Sequence, residues 1–306
     1  MADFSAIAPA SQTRVLPRPV VENGRSGTIG AALGRLTTLL EEQADGQWRF
    51  RLPGMRRSAR AKLSAEWLCL SVSLRTLQKP MDVRLIGATL RRNARIDGSP
   101  RIIGFRERRR RELVVDIPTD LLPWQSESEI ERMLAASISS LGAALNSKLA
   151  LAAMPRQAHL PREELEAIFD EAGWPTRYGE DDGLQVPLDV LGSYLTATVK
   201  HDGSSTALSV SILENQPSSV PDACRGAVAV LLWLVASRVR LVKPTRSKRA
   251  LSLDVTLGAV TAAELAHGCA ALSTALHQLV DEAKLLIANE HLAQVYLSNL
   301  GFETAA

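Results

Sequence analysis

The sequence lacks the features of secreted and membrane proteins. Its three cysteines are odd in number and lie in apolar surroundings, so we do not expect a disulfide framework. We expect instead that the protein is located in a reducing compartment. The longest uncharged apolar run, 227–236, is about half of the roughly 20 residues that a membrane helix needs. No cationic leader with an apolar stretch opens the chain. We therefore expect a cytoplasmic protein that has no membrane association.

Motifs of reactive chemistry are also missing. The chain has no C-x-x-C, H-E-x-x-H or G-x-S-x-G motif, and its early glycines fit neither phosphate-loop spacing. His267 and Cys269 lie two positions apart on a predicted helix, so they point to different faces. These absences predict a protein that is not an enzyme and has no metal or cofactor. A small-molecule enzyme or sensor with a pocket between two domains stays open as an alternative.

What the chain does contain is an internal repeat. Residues 70–74 (LSVSL) recur as 208–212 (LSVSI), a shift of 138, and the same shift carries 111–117 onto 249–255. Residues 36–42 match 165–171 at a shift of 129. The length of 306 residues suits two domains. The sequence therefore predicts a duplicated protein whose two halves pack about a pseudo-twofold, as a homodimer does.

Each repeat shows the same predicted order of elements. For the first repeat this order is a helix at 27–43, strands at 48–52, 61–63 and 67–74, a helix at 80–95, strands at 101–106 and 112–117, and a helix at 127–153. For the second it is 161–172, then 184–190, 194–200 and 207–213, then 221–237, then 239–243 and 250–255, and finally 261–289. This pattern predicts an α+β fold of two similar α-β-β-β-α-β-β-α domains with antiparallel sheets packed against helices.

Domain boundaries follow from the repeat. We expect a flexible N-terminal arm at 1–25, a first repeat at 26–154, a proline-bearing linker at 154–161 and a second repeat at 161–290. The helix at 221–237 is apolar almost all round, which predicts that it is buried on most sides, at an interface between the repeats or between chains.

This element order, met twice, resembles the class I type III secretion chaperone (Tir-chaperone-like) fold over 27–153 and 161–289. In that family two small subunits pair through the middle helix, and an unfolded partner segment winds over apolar grooves and adds to strands. The resemblance implies that the helices at 224–237 and 80–95 face each other. It also implies a chaperone-like protein whose partner is a protein or an unfolded peptide segment, with the dimer replaced by a pseudo-dimer in one chain that is possibly monomeric.

Strand addition is therefore our first functional hypothesis. Main-chain hydrogen bonds would give affinity and side-chain pockets would give selectivity. The residues expected to bind the partner lie on one strand of each repeat: Trp67, Leu68, Leu70 and Val72 in the first, and Leu208, Val210 and Ile212 in the second.

Charge supplies the second hypothesis. Residues 1–150 carry a net charge of +9 and the remainder −6. A basic patch is predicted on one hairpin tip per repeat: Arg106, Arg108, Arg109, Arg110 and Arg111 in the first, and Arg246, Lys248 and Arg249 in the second. Arginine binds both phosphates and carboxylates, so the patch suits nucleic acid or an acidic protein surface, and a solvated hairpin without a ligand is the third option.

Overall fold

The structure is a computed structural model that describes residues 22–44, 46–64, 67–96, 98–107, 110–121, 125–145, 160–179, 183–190, 193–201, 205–214, 220–248, 250–257 and 261–303. Most of the predicted N-terminal arm and nearly all of the predicted linker lie outside these ranges. Within them the chain is an α+β protein with antiparallel sheets and helices.

The first half contains three helices and seven strands. In chain order they are α1 (Glu22–Leu36), β1 (Thr38–Ala44), β2 (Gln47–Arg51), β3 (Ser58–Ser64), β4 (Trp67–Leu77), β5 (Met81–Asp82), α2 (Val83–Asn93), β6 (Arg101–Glu107), β7 (Arg110–Asp120) and α3 (Glu127–Leu145). Asp82 caps α2, because its side chain accepts a hydrogen bond from the Arg84 backbone N–H.

The second half repeats this order without a counterpart of β5, and it adds a C-terminal extension. It comprises α4 (Arg162–Glu171), β8 (Arg177–Tyr178), β9 (Leu184–Val190), β10 (Ser193–His201), β11 (Thr206–Glu214), α5 (Asp222–Ala236), β12 (Lys243–Arg246), β13 (Ala250–Leu257), α6 (Ala262–Ala288), α7 (Glu290–Leu300) and β14 (Phe302–Glu303). The extension, α7 and β14, was not predicted. It packs on α5 and pairs with β5 of the first half.

The two six-stranded sheets have the same strand order. The first is β1-β2-β3-β4-β7-β6 and the second is β8-β9-β10-β11-β13-β12. Their central registers also agree, because Ser71 pairs with Asp116 just as Ser209 pairs with Asp254, 138 residues on. Four strands of each six-stranded sheet precede the middle helix, not the predicted three. The shared order and register are those expected of a duplication, which itself stays a prediction.

The predicted helix at 27–43 has the wrong C-terminal boundary. The match between 36–42 and 165–171, at a shift of 129, is therefore wrong as well. Helix α1 ends at Leu36, and residues 38–44 form β1. Thr37 ends the helix, donating both its N–H and its hydroxyl to Leu33 O, and Leu39 takes a positive φ of 54°. Residues 39–42 are therefore strand where 168–171 are helix. The buried positions four apart in α1, Ile29 and Leu33, correspond instead to those in α4, Leu165 and Phe169.

The apolar helix α5 is buried on most sides, as predicted, and it contacts α2 of the other half. Glycines permit close approach at this interface. A Cβ on Gly226 would lie 2.8 Å from Val83 Cγ1, and one on Gly104 would lie 2.4 Å from Trp233 Cζ2. The buried apolar residues of both halves form one continuous cluster. The halves therefore share a core.

Two buried cations tie the halves together in a reciprocal way. Arg101 on β6 donates to the carbonyls of Ala236, Val239 and Val242, in and after α5. Lys243 on β12 donates to carbonyls in the loop after α2. Arg101 pairs with Asp116 in its sheet, and Lys243 pairs with Asp254 in the other, so the two cations occupy equivalent positions. Each half thus anchors the loop that follows the other half's middle helix.

Candidate functional site

The outer face of the first sheet is polar, and strand alternation explains why. Along β3 the alanines at 59 and 61 point into the core, whereas Arg60 and Lys62 are exposed. Along β4 the aliphatic residues at 68, 70 and 72 are buried, while Trp67 and Cys69 lie on the opposite face. Helices α1 and α3 pack near this sheet but do not line that face. The face is therefore left open.

This face forms a cleft of about 1190 Å³. We call it the basic cleft; its lining is Gln43, Gln47, Trp48, Arg49, Ser58, Arg60, Ala61, Lys62, Ser64, Trp67, Cys69, Ser71, Ser73, Arg101, Ile103, Glu112, Val114, Asp116, Pro118, Ser237, Arg238 and Arg240. Most of these residues belong to the first half. The last three come from the segment after α5, so the second half closes one side.

Cations outnumber carboxylates in the lining. Arg101 and Asp116 neutralise each other at the floor through contacts of 2.9 Å (Nε to Oδ1) and 3.2 Å (Nη2 to Oδ2). In the described part of the lining, the other charged groups are one carboxylate, Glu112, and five cations: Arg49, Arg60, Lys62, Arg238 and Arg240. Such a surplus on a concave surface favours anionic ligands.

The thiol at the floor is not an activated nucleophile. Cys69 Sγ lies 3.7 Å from Asp116 Oδ2 and is the donor of that contact. Burial raises the pKa of Cys69 to about 12, and the negative charge of Asp116 adds to the shift. The thiol is therefore protonated at neutral pH, and a protonated thiol is a poor nucleophile and metal ligand.

Trp67 stands where the two halves meet. The Arg240 guanidinium lies 5.1 Å from the centre of its ring, and the ring of His267 on α6 lies 6.3 Å away at a 40° tilt. The first contact is within cation–π range. Trp67 is half-buried by these neighbours, so little of its face is open for stacking.

Glu112 presents the cleft with an unsatisfied acceptor. Its Oε2 is buried and has no hydrogen-bond partner in the described part of the chain. Such an atom costs about 1–3 kcal/mol compared with a satisfied one.

Five of the residues predicted to bind a partner lie in the core, which makes that part of the prediction wrong. They are Leu68, Leu70, Val72, Leu208 and Val210, each at most 2% exposed. Their strands cannot accept an added strand either, because β4 lies between β3 and β7, and β11 lies between β10 and β13. Ile212 is partly buried against the core. Of the seven residues predicted to bind a partner, only Trp67 lines the basic cleft.

The predicted basic patch is only partly described. Arg108, Arg109 and Arg249 lie outside the described residues, as do the side chains of Arg106, Arg110 and Arg111. The backbone of the first hairpin continues β6 and β7, with Glu107 opposite Arg110. In the second patch Lys248 is exposed, but Arg246 is half-buried against α2 and is not on a projecting tip.

The cations of the basic cleft were not predicted, although the alternation of polar and apolar residues in two strands indicates three of them. Gln47 to Arg51 and Ser58 to Lys62 alternate strictly between polar and apolar residues, which places Arg49, Arg60 and Lys62 on one face. Counting charge by strand face would have found them. Arg238 and Arg240 could not be found in this way, because they come from the other half.

Comparison with known proteins adds no relative: no family model matches the chain, and no curated protein matches it. Among the described residues no helix is both long and apolar enough to cross a membrane, and no three His, Cys, Asp or Glu side chains are grouped so that they could hold a metal ion.

Proposed function

We propose that this protein is a non-catalytic binding protein whose basic cleft holds an extended acidic segment of a partner protein. The observation that carries the proposal is the charge of the cleft, where, among the described residues, five cations face one carboxylate on the open side of the first sheet. Guanidinium groups bind carboxylates through paired, charge-assisted hydrogen bonds. An acidic segment would also bring the two halves' cations, from β2, β3 and the loop after α5, into one interaction.

A protein ligand suits the cleft better than nucleic acid does. Single-stranded nucleic acid is commonly held by aromatic side chains on which its bases stack, and the Arg240 guanidinium already lies over the Trp67 ring. The serines at 58, 64, 71 and 73 add small groups that can donate to or accept from a peptide backbone.

The resemblance to class I type III secretion chaperones enters the proposal as a mode of binding. Such chaperones hold an unfolded segment on their surface, and an extended segment across an open sheet face is the equivalent here. Binding by strand addition at β4 or β11 is not part of this proposal. We place the protein in the cytoplasm because its three cysteines are free thiols.

Fluorescence anisotropy with a labelled glutamate-rich peptide tests the proposal. Replacing Arg49 and Arg60 by glutamine should weaken binding by roughly threefold to fivefold per residue, since exposed ion pairs contribute up to about 1 kcal/mol each. Binding should also weaken as salt is raised.

The second sheet supplies a matched control. Lys62 and Lys200 occupy equivalent positions, because Lys62 pairs with Cys69 and Lys200 pairs with Ala207, 138 residues on. Lys62→Gln should weaken peptide binding and Lys200→Gln should not. Equal effects of the two variants would contradict the proposal, and so would a preference for a single-stranded oligonucleotide of the same length and charge.

A further inference from the structure

The cations of the first sheet continue beyond the basic cleft. Between Asp45 and Glu66 the chain has no carboxylate side chain, and it carries six cations: Arg49, Arg51, Arg56, Arg57, Arg60 and Lys62. Arg51, Arg56 and Arg57 are exposed and do not line the cleft. The basic surface therefore extends past the cleft to the turn that joins β2 to β3.

That turn is held firmly against the core. Leu52 O accepts a hydrogen bond from the Met55 N–H at 3.1 Å, and Gly54 has a φ of 69°, as the third residue of a type II turn does. Leu52 is buried and Met55 packs against the core. The two arginines at 56–57 follow at once, so this end of the hairpin presents two cations from a fixed backbone.

Exposed cations succeed one another at regular intervals on the open face of this hairpin. The cross-strand pairs on that face are Gln47 with Lys62, Arg49 with Arg60, and Arg51 with Ser58. We call one exposed cation from each pair, Lys62, Arg49 and Arg51, the cation ladder. Successive pairs are two residues apart along each strand, so the steps of the ladder are about 6.7 Å.

Further cations lie at both ends of the ladder. At one end Ser64 of β3 pairs with Trp67, and the Arg240 guanidinium lies over the ring of Trp67. At the other end Ser58 follows the arginines at 56–57 directly. Six residue steps separate Ser64 from Ser58, a distance of about 20 Å along the strand. A track of positive charge thus runs parallel to β2 and β3 and joins both halves.

Carboxylates of the protein do not neutralise the ladder. Arg49 Nη2 donates to the Ser58 hydroxyl, a neutral group, at 3.5 Å. Glu41 of β1 is exposed and lies opposite Arg49 in register, but within the described ranges no ion pair joins it to a ladder cation. Three cations beside one carboxylate leave a surplus of positive charge for a ligand.

We propose that the partner segment lies extended along β2 and β3 and carries acidic residues at every second position. This inference rests on the proposed function. In an extended chain alternate side chains face the same way and are about 6.7 Å apart, which equals the step of the ladder. A helix repeats a face about every 5.4 Å, so its carboxylates would lose register with the cations within a few turns. In a run of consecutive acidic residues, half of the carboxylates would point away.

Two labelled peptides of one composition test the spacing by fluorescence anisotropy. Both are long enough to span the ladder, about nine residues. One alternates glutamate with serine, and the other has the same glutamates in a central block. The alternating peptide should bind roughly fivefold to tenfold more tightly, because twice as many of its carboxylates face the ladder.

Variants outside the cleft test the direction of the segment. Arg51→Gln should weaken binding of the alternating peptide roughly threefold to fivefold, and the pair Arg56→Gln and Arg57→Gln should weaken it by a similar factor. All three side chains are exposed, so their replacement leaves the core intact. Arg95→Gln is the matched control, because Arg95 is an exposed cation beyond α2 and should not affect binding.

The outcomes separate this inference from the proposed function. Equal affinity for the two peptides would overturn the inference, as would no effect of Arg51→Gln while Arg49→Gln still weakens binding; in both cases the basic cleft would keep its proposed function. If neither peptide bound more tightly than an all-serine peptide of the same length, both proposals would fail. A single-stranded oligonucleotide of equal charge that bound more tightly than the alternating peptide would also overturn the inference.

Discussion

The open faces of the two sheets share a topology and differ in chemistry. Arg49 pairs with Arg60 on the first sheet, and the same positions on the second sheet are Gln185 paired with Thr198. The backbone therefore presents equivalent surfaces, and only the first carries an arginine cluster. Fold alone therefore does not determine the chemistry of this face, because the two halves share a register and differ in charge at these two positions.

The buried cations differ between the halves as well. Arg101 makes two contacts to Asp116 and three to carbonyls, and Asp116 is 4% exposed. Asp254, the equivalent carboxylate, is less buried and accepts a 2.6 Å hydrogen bond from Ser209. Lys243 donates to two carbonyls of the other half. The first half thus holds its carboxylate with a buried ion pair, and in the second half a serine hydroxyl donates to the equivalent carboxylate.

The largest effect is expected from breaking that ion pair. Arg101→Ala should lower the free energy of unfolding by about 3–5 kcal/mol, because it leaves a buried carboxylate uncompensated. Lys243→Ala should cost about 1–3 kcal/mol, since Asp254 keeps its bond to Ser209. Urea denaturation followed by circular dichroism measures both losses.

A double variant isolates the charge. Arg101→Met combined with Asp116→Leu removes both members of the pair, so it should be less destabilising than Arg101→Ala alone. If Arg101→Ala and Lys243→Ala lowered the free energy of unfolding equally, the two buried cations would stabilise the protein in the same way. That result would contradict the difference described above.

The fold was largely predictable from sequence, because its strands alternate and its helices are periodic. Strand β9 and the body of α5 lie where hydrophobic patterning placed them. The pattern failed at 38–44, where two leucines and two glutamates suit a helix face equally well. It also failed at 239–242, an apolar stretch that forms a loop held by the Arg101 side chain. Tertiary contacts determine the backbone conformation at 239–242, and a single sequence does not show such contacts.

A medium effect on the free energy of unfolding is expected at Gly104, where one half has a glycine and the other half has a large residue at the equivalent position. Gly104 and Arg246 occupy equivalent positions, since they pair with Leu113 and Leu251. Trp233 of α5 covers Gly104, whereas Arg246 covers Gly87 of α2. Gly104→Ala places a Cβ 2.4 Å from Trp233 Cζ2, so it should cost about 1–3 kcal/mol of unfolding free energy.

Two further variants sharpen that result. Gly142→Ala in α3 meets no atom within 4 Å and should stabilise the protein by about 0.5–1 kcal/mol, because alanine suits a helix interior better. Trp233→Phe should partly rescue Gly104→Ala, since the smaller ring makes room. Trp233 Nε1 has no hydrogen-bond partner in the described part of the chain, so its loss removes no bond. Thermal or urea unfolding that left Gly104→Ala as stable as the parent would refute the tight packing.

The candidate site was less predictable than the fold. Sequence located the strand that carries Trp67 but assigned binding to its aliphatic residues, because alternation does not say which face meets a core. The repeat also favours the wrong residues, because it selects positions that match between the halves. The arginines at 49 and 60 have no arginine counterpart in the second half, so the repeat does not indicate them. The proposed site lies at positions where the halves differ.

The smallest effect is expected from transferring the cleft's charge to the second sheet. In a chain disabled by Arg49→Gln and Arg60→Gln, the substitutions Gln185→Arg and Thr198→Arg should restore acidic-peptide binding by about twofold to fivefold. Anisotropy with the peptide used for the basic cleft measures the gain. Recovery should be incomplete, because Arg238 and Arg240 flank the first sheet from the loop after α5. Complete recovery would show that two arginines on the open face suffice, and that the residues contributed across the junction are dispensable for binding.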